Sequence, residues 1–353
     1  MKESTKHKIL VAPLNWGLGH ATRCIPIVNT LIKNGYEPVI ASDGDSLLLL
    51  QKEFPNLKSF DLPSYPIYYS KKAIFFKVNL LFKLPKFSAI YRAEHKEIDR
   101  IVKQENIHGI ISDNRFGCFH PDVKSVYISH QIRVLSGIFT FLSSKIHQSL
   151  IKNFDECWIP DEENSPYSGR LSKTSFTSVK TKHIGVLSRF KQQKADSKYD
   201  YLVLLSGPEP QRSQLEKVML RIFKNTSKKV LLIQGKMEAR QSEIRKNDIT
   251  IVNFMTQHQL QQSIAESKLI IARSGYSTIM DLAVMGKKAF FIPTPGQTEQ
   301  VYLAKKMAEN NMAPFAKQHQ FKLADLDKVE RFSGFEVFDP DNEILSKTLL
   351  VFN

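Results

Sequence analysis

The sequence predicts an α/β protein made of two units, each built on a parallel sheet. Three observations predict it. Short apolar runs alternate with segments of helical spacing along most of the 353 residues. Alternating strand and helix implies parallel pairing with helices on the sheet faces. Each half also opens in the same way: Ile9-Leu-Val-Ala-Pro-Leu14 runs into a loop containing Gly17, and Tyr201-Leu-Val-Leu-Leu205 runs into Ser206-Gly207. Late in the chain, two apolar runs end in polar loops, Arg273-Ser-Gly275 and Thr294-Pro-Gly-Gln-Thr-Glu-Gln300, each followed by helical spacing. The length suits two ordinary domains.

The elements follow in order. A strand is predicted over Ile9–Pro13, then a helix from about Ala21 to Lys33, which Asn34-Gly35 should end. Strands follow at Pro38–Ser42, Ile107–Ser112 and Ser125–Ser129. The polar, Lys- and Gln-rich stretch Ser188–Tyr199 marks a boundary, which divides the chain into 1–188, 199–320 and a tail, 321–353. In the second half strands are predicted at Tyr201–Leu205, Lys229–Gln234, Ile249–Phe254, Lys268–Ala272 and Ala289–Pro293, with helices between them. There is no repeat of solenoid length and no low-complexity segment.

Composition narrows the class. A hydrophobic fraction of 42% is that of a globular protein, and no run approaches the ~20 apolar residues of a membrane span. The charged N-terminus leads straight into a strand, so no signal peptide is expected. Cys24, Cys118 and Cys157 are widely spaced and form neither a disulfide framework nor a zinc motif, which predicts a reducing cytoplasm. A net charge of +15 gives a basic surface that attracts anionic partners. No helix-turn-helix, RNA-binding or zinc-finger signature accompanies it, so nucleic acid is not expected as a partner. No His, Cys and Asp residues have metal-ligand spacing, so no metal is expected.

The loops after the strands carry the chemistry. In open α/β sheets ligands bind at the carboxyl ends of the strands. Backbone N–H groups at a helix start attract phosphate, an arginine adds fixed charge, and a carboxylate can hold sugar hydroxyls. Arg273 to Asp281 presents that set, which suits a nucleotide diphosphate carrying a sugar. Arg273-Ser-Gly275, then Ser277 and Thr278, Asp281, Gly286-Lys-Lys288, an apolar strand and a Gln-bearing loop resemble the donor half of MurG-type glycosyltransferases. The resemblance is strong from about Thr250 to Pro314 and clear at Val11–Thr30. It implies a GT-B architecture: two Rossmann-like domains with parallel sheets facing across a cleft. It also implies an inverting, metal-independent transfer from a UDP-sugar, UDP-N-acetylhexosamine among the candidates, with no cofactor besides the donor.

The resemblance implies roles residue by residue. Arg189, Ser206, Gly207, Phe254, Arg273, Ser274, Gly275, Tyr276, Ser277, Thr278, Asp281, Glu299 and Gln300 would bind the donor. Asp281 would hold the ribose, and Glu299 and Gln300 the sugar. Pro208 and Pro210 depart from the family's glycine-rich diphosphate loop, because proline removes N–H donors. Phosphate contact could then shift to Ser206, Arg189 or Arg273. Phe254 and Met255 lie where the family contacts the base, with core packing as the other reading. Asp281 has a competing reading too, since Thr278-Ile-Met-Asp281 has the spacing of a capping box. Glu299 stands where the family has Gln, which points to a sugar other than N-acetylglucosamine.

Gly17-Leu-Gly-His-Ala-Thr-Arg23 resembles the family's acceptor-side loop, with Gly17, Gly19, Asn114 and His130 on the acceptor side. The reaction needs a base for the acceptor hydroxyl, and a neutral imidazole can serve. His20 is the candidate, at a helix start that lowers its pKa. Asp113, at a strand end, is the competing base, and Ser129-His130-Gln131 should line the same cleft. A dinucleotide enzyme is a further alternative: Asp43 follows the second strand as a ribose acid would, but Thr22 stands where the fingerprint needs its third glycine.

The expectation is therefore a cytoplasmic glycosyltransferase. Its rivals are a nucleotide-sugar hydrolase of the same fold, with His20 activating water, and a non-catalytic nucleotide-sugar-binding protein. Leu62–Ala93 contains no acid and interleaves Lys71, Lys72, Lys77, Lys83, Lys86 and Arg92 with eight aromatic residues. A core helix flanked by lysines is one reading. The other is an element peripheral to the inner face of an anionic membrane, serving a lipid-linked acceptor.

Overall fold

The structure, a computed structural model, describes residues 6–65, 84–135, 140–173, 179–207, 209–236, 238–335 and 342–353. Among these, the chain packs as two compact units: 6–65, 84–187 and 342–353 form the first, and 188–335 the second.

The first unit is a seven-stranded sheet, parallel throughout: β1 (Lys8–Pro13), β2 (Glu37–Ser42), β3 (Ser59–Asp61), β4 (Ile107–Asp113), β5 (Lys124–Ile128), β6 (Glu156–Ile159) and β7 (Lys180–His183). Its spatial order is β3-β2-β1-β4-β5-β6-β7. The helices are α1 (Gly19–Lys33), α2 (Gly44–Glu53), α3 (Leu84–Glu105) and α4 (Thr140–Ile151). Both sheet faces are covered, which is why its strands read as continuous apolar runs. Leu10, Ala12, Val39 and Ile110 pack with Ile98 and Ile101 of α3. Ile40 joins Ala21 and Ile25 of α1 and Leu50 of α2 in a second cluster. The strands β3, β6 and β7 carry polar or charged residues that interrupt any apolar run, so their patterns do not stand out in the sequence.

The second unit has six strands in the order β10-β11-β9-β8-β12-β13. They are β8 (Tyr199–Leu204), β9 (Val230–Ile233), β10 (Glu243–Lys246), β11 (Ile249–Val252), β12 (Ser267–Ala272) and β13 (Ala289–Phe291). All pairs are parallel except β10 with β11. Its helices are α5 (Gln211–Phe223), α6 (Gln257–Ala265), α7 (Tyr276–Met285) and α8 (Thr298–Glu309). The exposed edge strand β10 has no alternating core face, so its sequence does not mark it as a strand. One core gathers Val203, Leu215, Leu232, Ile251, Ile271 and Phe290 with Phe321, Leu326 and Val329, so the chain just beyond 320 belongs to this unit.

The last residues belong to the first unit. After α9 (Asn342–Thr348), Phe352 is buried against Trp158, with ring centroids 6.1 Å apart. Tyr36 donates to Leu349 O at 3.2 Å and to Asn353 Oδ1 at 2.6 Å.

Strand order locates the ligand-binding edges. In the first unit the order reverses direction between β1 and β4, and in the second between β8 and β12. At such switch points the loops leaving adjacent strands diverge and open a crevice. Pro13 pairs with Asp113 at the first, and Leu204 with Ala272 at the second.

Candidate active site

In the first unit the crevice holds a buried charged cluster. The α1 helix begins at Gly19, so His20 and Arg23 lie one turn apart on one face. Arg23, 2% exposed, donates from Nε to Asp113 Oδ2 at 2.5 Å, and its Nη2 donates to Oδ1. The His20 Nδ1 lies 2.8 Å from Asp113 Oδ1. Arg23 Nη2 also lies 2.9 Å from this nitrogen, but it donates to Asp113 Oδ1, so the carboxylate, which can only accept, places the imidazole proton on Nδ1 and leaves Nε2 as a lone pair. Asn114 Nδ2 donates to the same Oδ1 at 3.2 Å. Asn114 holds a left-handed backbone, φ 62°, which tucks its amide beside the carboxylate.

The electrostatics follow from this packing. Burial alone would raise the Asp113 pKa, but the charges of Arg23 and His20 outweigh it and hold the carboxyl well below its usual range. Burial lowers the His20 pKa, Arg23 and His130 push the same way, and Asp113 opposes them, with a net lowering. At neutral pH the site therefore holds an ionised Asp113 beside a neutral His20. His130 Nδ1 sits 3.0 Å from Arg23 Nη1. Arginine only donates, so that nitrogen accepts and the His130 proton lies on Nε2. Gly17 takes φ 72°, and a Cβ there would meet open space, so the loop before α1 uses glycine for its turn.

The neighbouring residues are structural. Arg115 is fully buried, donating to Glu94 Oε1 at 2.6 Å, Asp43 Oδ1 at 2.6 Å and Pro63 O at 2.7 Å. Asp43, the ribose acid of the dinucleotide alternative, is thus occupied by a buried ion pair.

In the second unit Ser206 and Gly207 are exposed just past β8, and Gly207 takes φ 92°. The α7 helix starts at Gly275, with Ser277 and Thr278 half-buried in its first turn. Ser274 Oγ donates to Gln300 O at 2.7 Å, and Gln300 Oε1 accepts from Thr294 N at 2.8 Å, which fastens the loops after β12 and β13 together. Glu299 lies in the first turn of α8. Phe254 and Met255 are half-buried after β11 and lie outside the core cluster.

Asp281 lies in the second turn of α7 and does not cap it. The N-cap is Gly275 and has no side-chain hydrogen bond, so the capping-box reading fails. Its Oδ1 instead accepts from Ser188 Oγ at 2.6 Å. Burial raises its pKa to about 6, against the opposing charge of Arg189 and the Ser188 hydrogen bond. No local sequence signal ties Ser188 to Asp281, because 93 residues separate them.

Two of the expected donor residues have buried side chains. Arg273 is fully buried and donates to Ile292 O at 2.9 Å, Pro293 O at 3.1 Å, Gln211 O at 3.0 Å and Gln318 Oε1 at 2.8 Å. It ties these loops together, and burial lowers its pKa to about 10. Tyr276 is likewise a core side chain, 3% exposed. The apolar stretch of the sequence that surrounds both residues already favours burial.

Comparison with known proteins defines the class. Residues 206–331 match the glycosyltransferase family 28 C-terminal domain. The glycosyltransferase SnogD from Streptomyces nogalater shares the fold at TM-score 0.64 and 10% identity, covering 99% of this chain and 100% of that one. MurG from Acinetobacter baumannii matches at TM-score 0.54 and 13% identity, covering 98% and 94%. Glycosyltransferase VinC, in complex with dTDP, matches at 0.53 and 13%, also covering 98% and 94%. Identities this low establish the fold, which is GT-B; no curated protein matches the sequence. The match of residues 206–331 to the family 28 C-terminal domain, together with the GT-B fold, supports a glycosyltransferase. MurG is one of many neighbours, so the likeness does not single out its particular reaction.

Proposed function

We propose that the protein transfers a sugar from a UDP-sugar to an acceptor hydroxyl with inversion and without a metal. The observation that carries this reading is a neutral His20 held against an ionised Asp113. The acceptor oxygen attacks the anomeric carbon as the bond to the diphosphate breaks. The departing nucleotide keeps the bonding electrons, and His20 Nε2 takes the hydroxyl proton. Asp113 is the positioning residue and not the base: both of its oxygens are engaged, and its charge stabilises the imidazolium as it forms.

The donor would lie along the exposed edge of the second unit. Ser206, Gly207 and the α7 start would meet the diphosphate, Asp281 the ribose, Phe254 the base, and Glu299 with Gln300 the sugar. Helix N-termini would neutralise the leaving charge. Arg189, beside Asp281, would add positive charge there. The family 28 match over these loops supports the assignment.

We also propose a lipid-linked acceptor. Its support is the acid-free, aromatic and basic composition of Leu62–Ala93; most of that segment, 66–83, lies outside the described residues, and 84–93 begins α3. No helix among the described residues is long and apolar enough to cross a membrane.

A thermal-shift panel of nucleotides tests the donor. UDP at 100 times its Kd should stabilise the protein by about 2.7 kcal/mol, and NAD should not; a larger shift with NAD would sink the reading. Release of free sugar without acceptor, at the full rate of turnover, would make the enzyme a hydrolase. Changing Lys71, Lys72 and Lys77 to Glu should abolish binding to anionic vesicles and spare UDP binding, and a wild-type protein that ignores such vesicles at low salt would remove the membrane role.

A further inference from the structure

Behind the His20 cluster lies a second, buried layer of polar groups. Tyr127, on β5, is fully buried, and its ring packs on Phe116 and Phe154 at 5.5 Å and 5.0 Å between centroids. Its hydroxyl donates to Asn114 Oδ1 at 2.9 Å. On the other side, His147 Nε2 lies 3.5 Å from that hydroxyl, and His147 Nδ1 donates to Ile132 O at 3.3 Å. A neutral His147 with its proton on Nδ1 can only accept at Nε2. That lone pair and Asn114 Oδ1 can each take the phenol proton, and the shorter contact, 2.9 Å against 3.5 Å, assigns it to Asn114.

This settles which way the Asn114 amide faces. With Oδ1 turned to the phenol, Nδ2 points at Asp113 Oδ1, 3.2 Å away, and lies 3.4 Å from His20 Nδ1. The opposite flip would set the amide oxygen against a carboxylate and leave the phenol proton facing an NH2 group. Burial raises the Tyr127 pKa well above its ordinary value, so the hydroxyl keeps its proton at any working pH. Burial also lowers the His147 pKa to about 4, so it stays neutral.

We propose that Tyr127 is a positioning residue for His20: its hydroxyl orients Asn114, and Asn114 fixes the Asp113 carboxylate that holds the imidazole. The inference rests on the reading of His20 as the base for its effect on turnover, but not for its effect on His20 itself.

Tyr127→Phe keeps the ring and removes only the donor. Without it, Asn114 can turn its NH2 group away from Asp113. The carboxylate then attracts the imidazolium more strongly, so the His20 titration should move to higher pH, read by NMR of its ring proton in the free protein. Arg23 and His130, the other groups facing His20, are untouched. Turnover at pH 7.5 should fall about fivefold, the worth of one ordinary hydrogen bond, with UDP affinity unchanged. The acid limb of the pH–rate profile should rise in step with the NMR titration. Asn114→Ala should give the same shift, and adding Tyr127→Phe to it should change nothing further. An unmoved His20 titration in Tyr127→Phe, or additive shifts in the double variant, would overturn the inference. A shifted titration with unchanged turnover would leave this positioning intact and instead refute His20 as the base.

Discussion

Asp281→Asn tests how far the ribose-binding reading and the energetics of burial agree. The substitution removes the charge and leaves an amide oxygen to accept from Ser188. In the wild type the carboxyl titrates near 6 in the folded protein against an ordinary 3.8. Because the folded value is raised, the contribution of Asp281 to stability is fully present below about pH 3.8 and is lost as pH rises through about 6. At about 1.4 kcal/mol per pH unit, the ionised side chain costs roughly 3 kcal/mol above that window. Asp281→Asn should therefore be more stable than wild type by roughly 3 kcal/mol at pH 8 and by only about 1 kcal/mol at pH 4.5. Urea unfolding of the free protein at the two pH values measures both. The same variant should bind UDP about 10- to 100-fold more weakly, the worth of hydrogen bonds to a charged group. 2′-DeoxyUDP should lose less. A stability difference independent of pH would show that the carboxylate is not desolvated. Unchanged UDP affinity would show that its burial serves no ligand.

Three further outcomes are expected. His20→Ala should cut turnover about 100-fold or more while sparing donor affinity, and wild-type activity should persist to below pH 6.5 because the His20 pKa is lowered; near-normal turnover in the variant would remove His20 from the base role. Gly109→Ala should unseat the C-terminal segment, because a Cβ there would meet Phe352 Cδ1 at 2.2 Å; the expected loss is roughly 2–3 kcal/mol, largely absent in a Phe352→Ala background, and equal losses in both backgrounds would contradict the packing argument. Arg273→Met should destabilise the protein by roughly 2–4 kcal/mol by stranding its carbonyl acceptors, whereas a stable variant with selective loss of UDP over uridine would restore Arg273 as a phosphate ligand.

Much of the fold was legible because its signals are local. The nine strands predicted from apolar runs all appear, with ends shifted by one or two residues. Glycine-marked turns, as at Gly35 and Gly207, survive folding because a positive φ is needed there whatever the surroundings. Strands β3, β7 and the exposed β10 were not legible, because their mixed polar sequences, Ser-Phe-Asp, Lys-Thr-Lys-His and Glu-Ile-Arg-Lys, contain no apolar run. In the site, His20 and Asp113 could be named separately from a helix start and a strand end. Arg23 was within reach, since its i,i+3 spacing from His20 puts both on one helical face.

By itself, then, the sequence determined the α/β class, the parallel strands and the loops that end them, and therefore which residues stand at ligand-binding edges. Those features follow from side-chain periodicity and from the backbone preferences of glycine and proline, which act over a few residues. Only the tertiary structure decided what each polar residue does there. It turned Arg273 inward to carbonyls 19 to 62 residues away, paired Asp43 with Arg115 across 72, and joined Asp281 to Ser188 across 93. A charge or hydroxyl acquires its role from the dielectric and the partners around it, and folding sets both by bringing together residues that are distant in the chain.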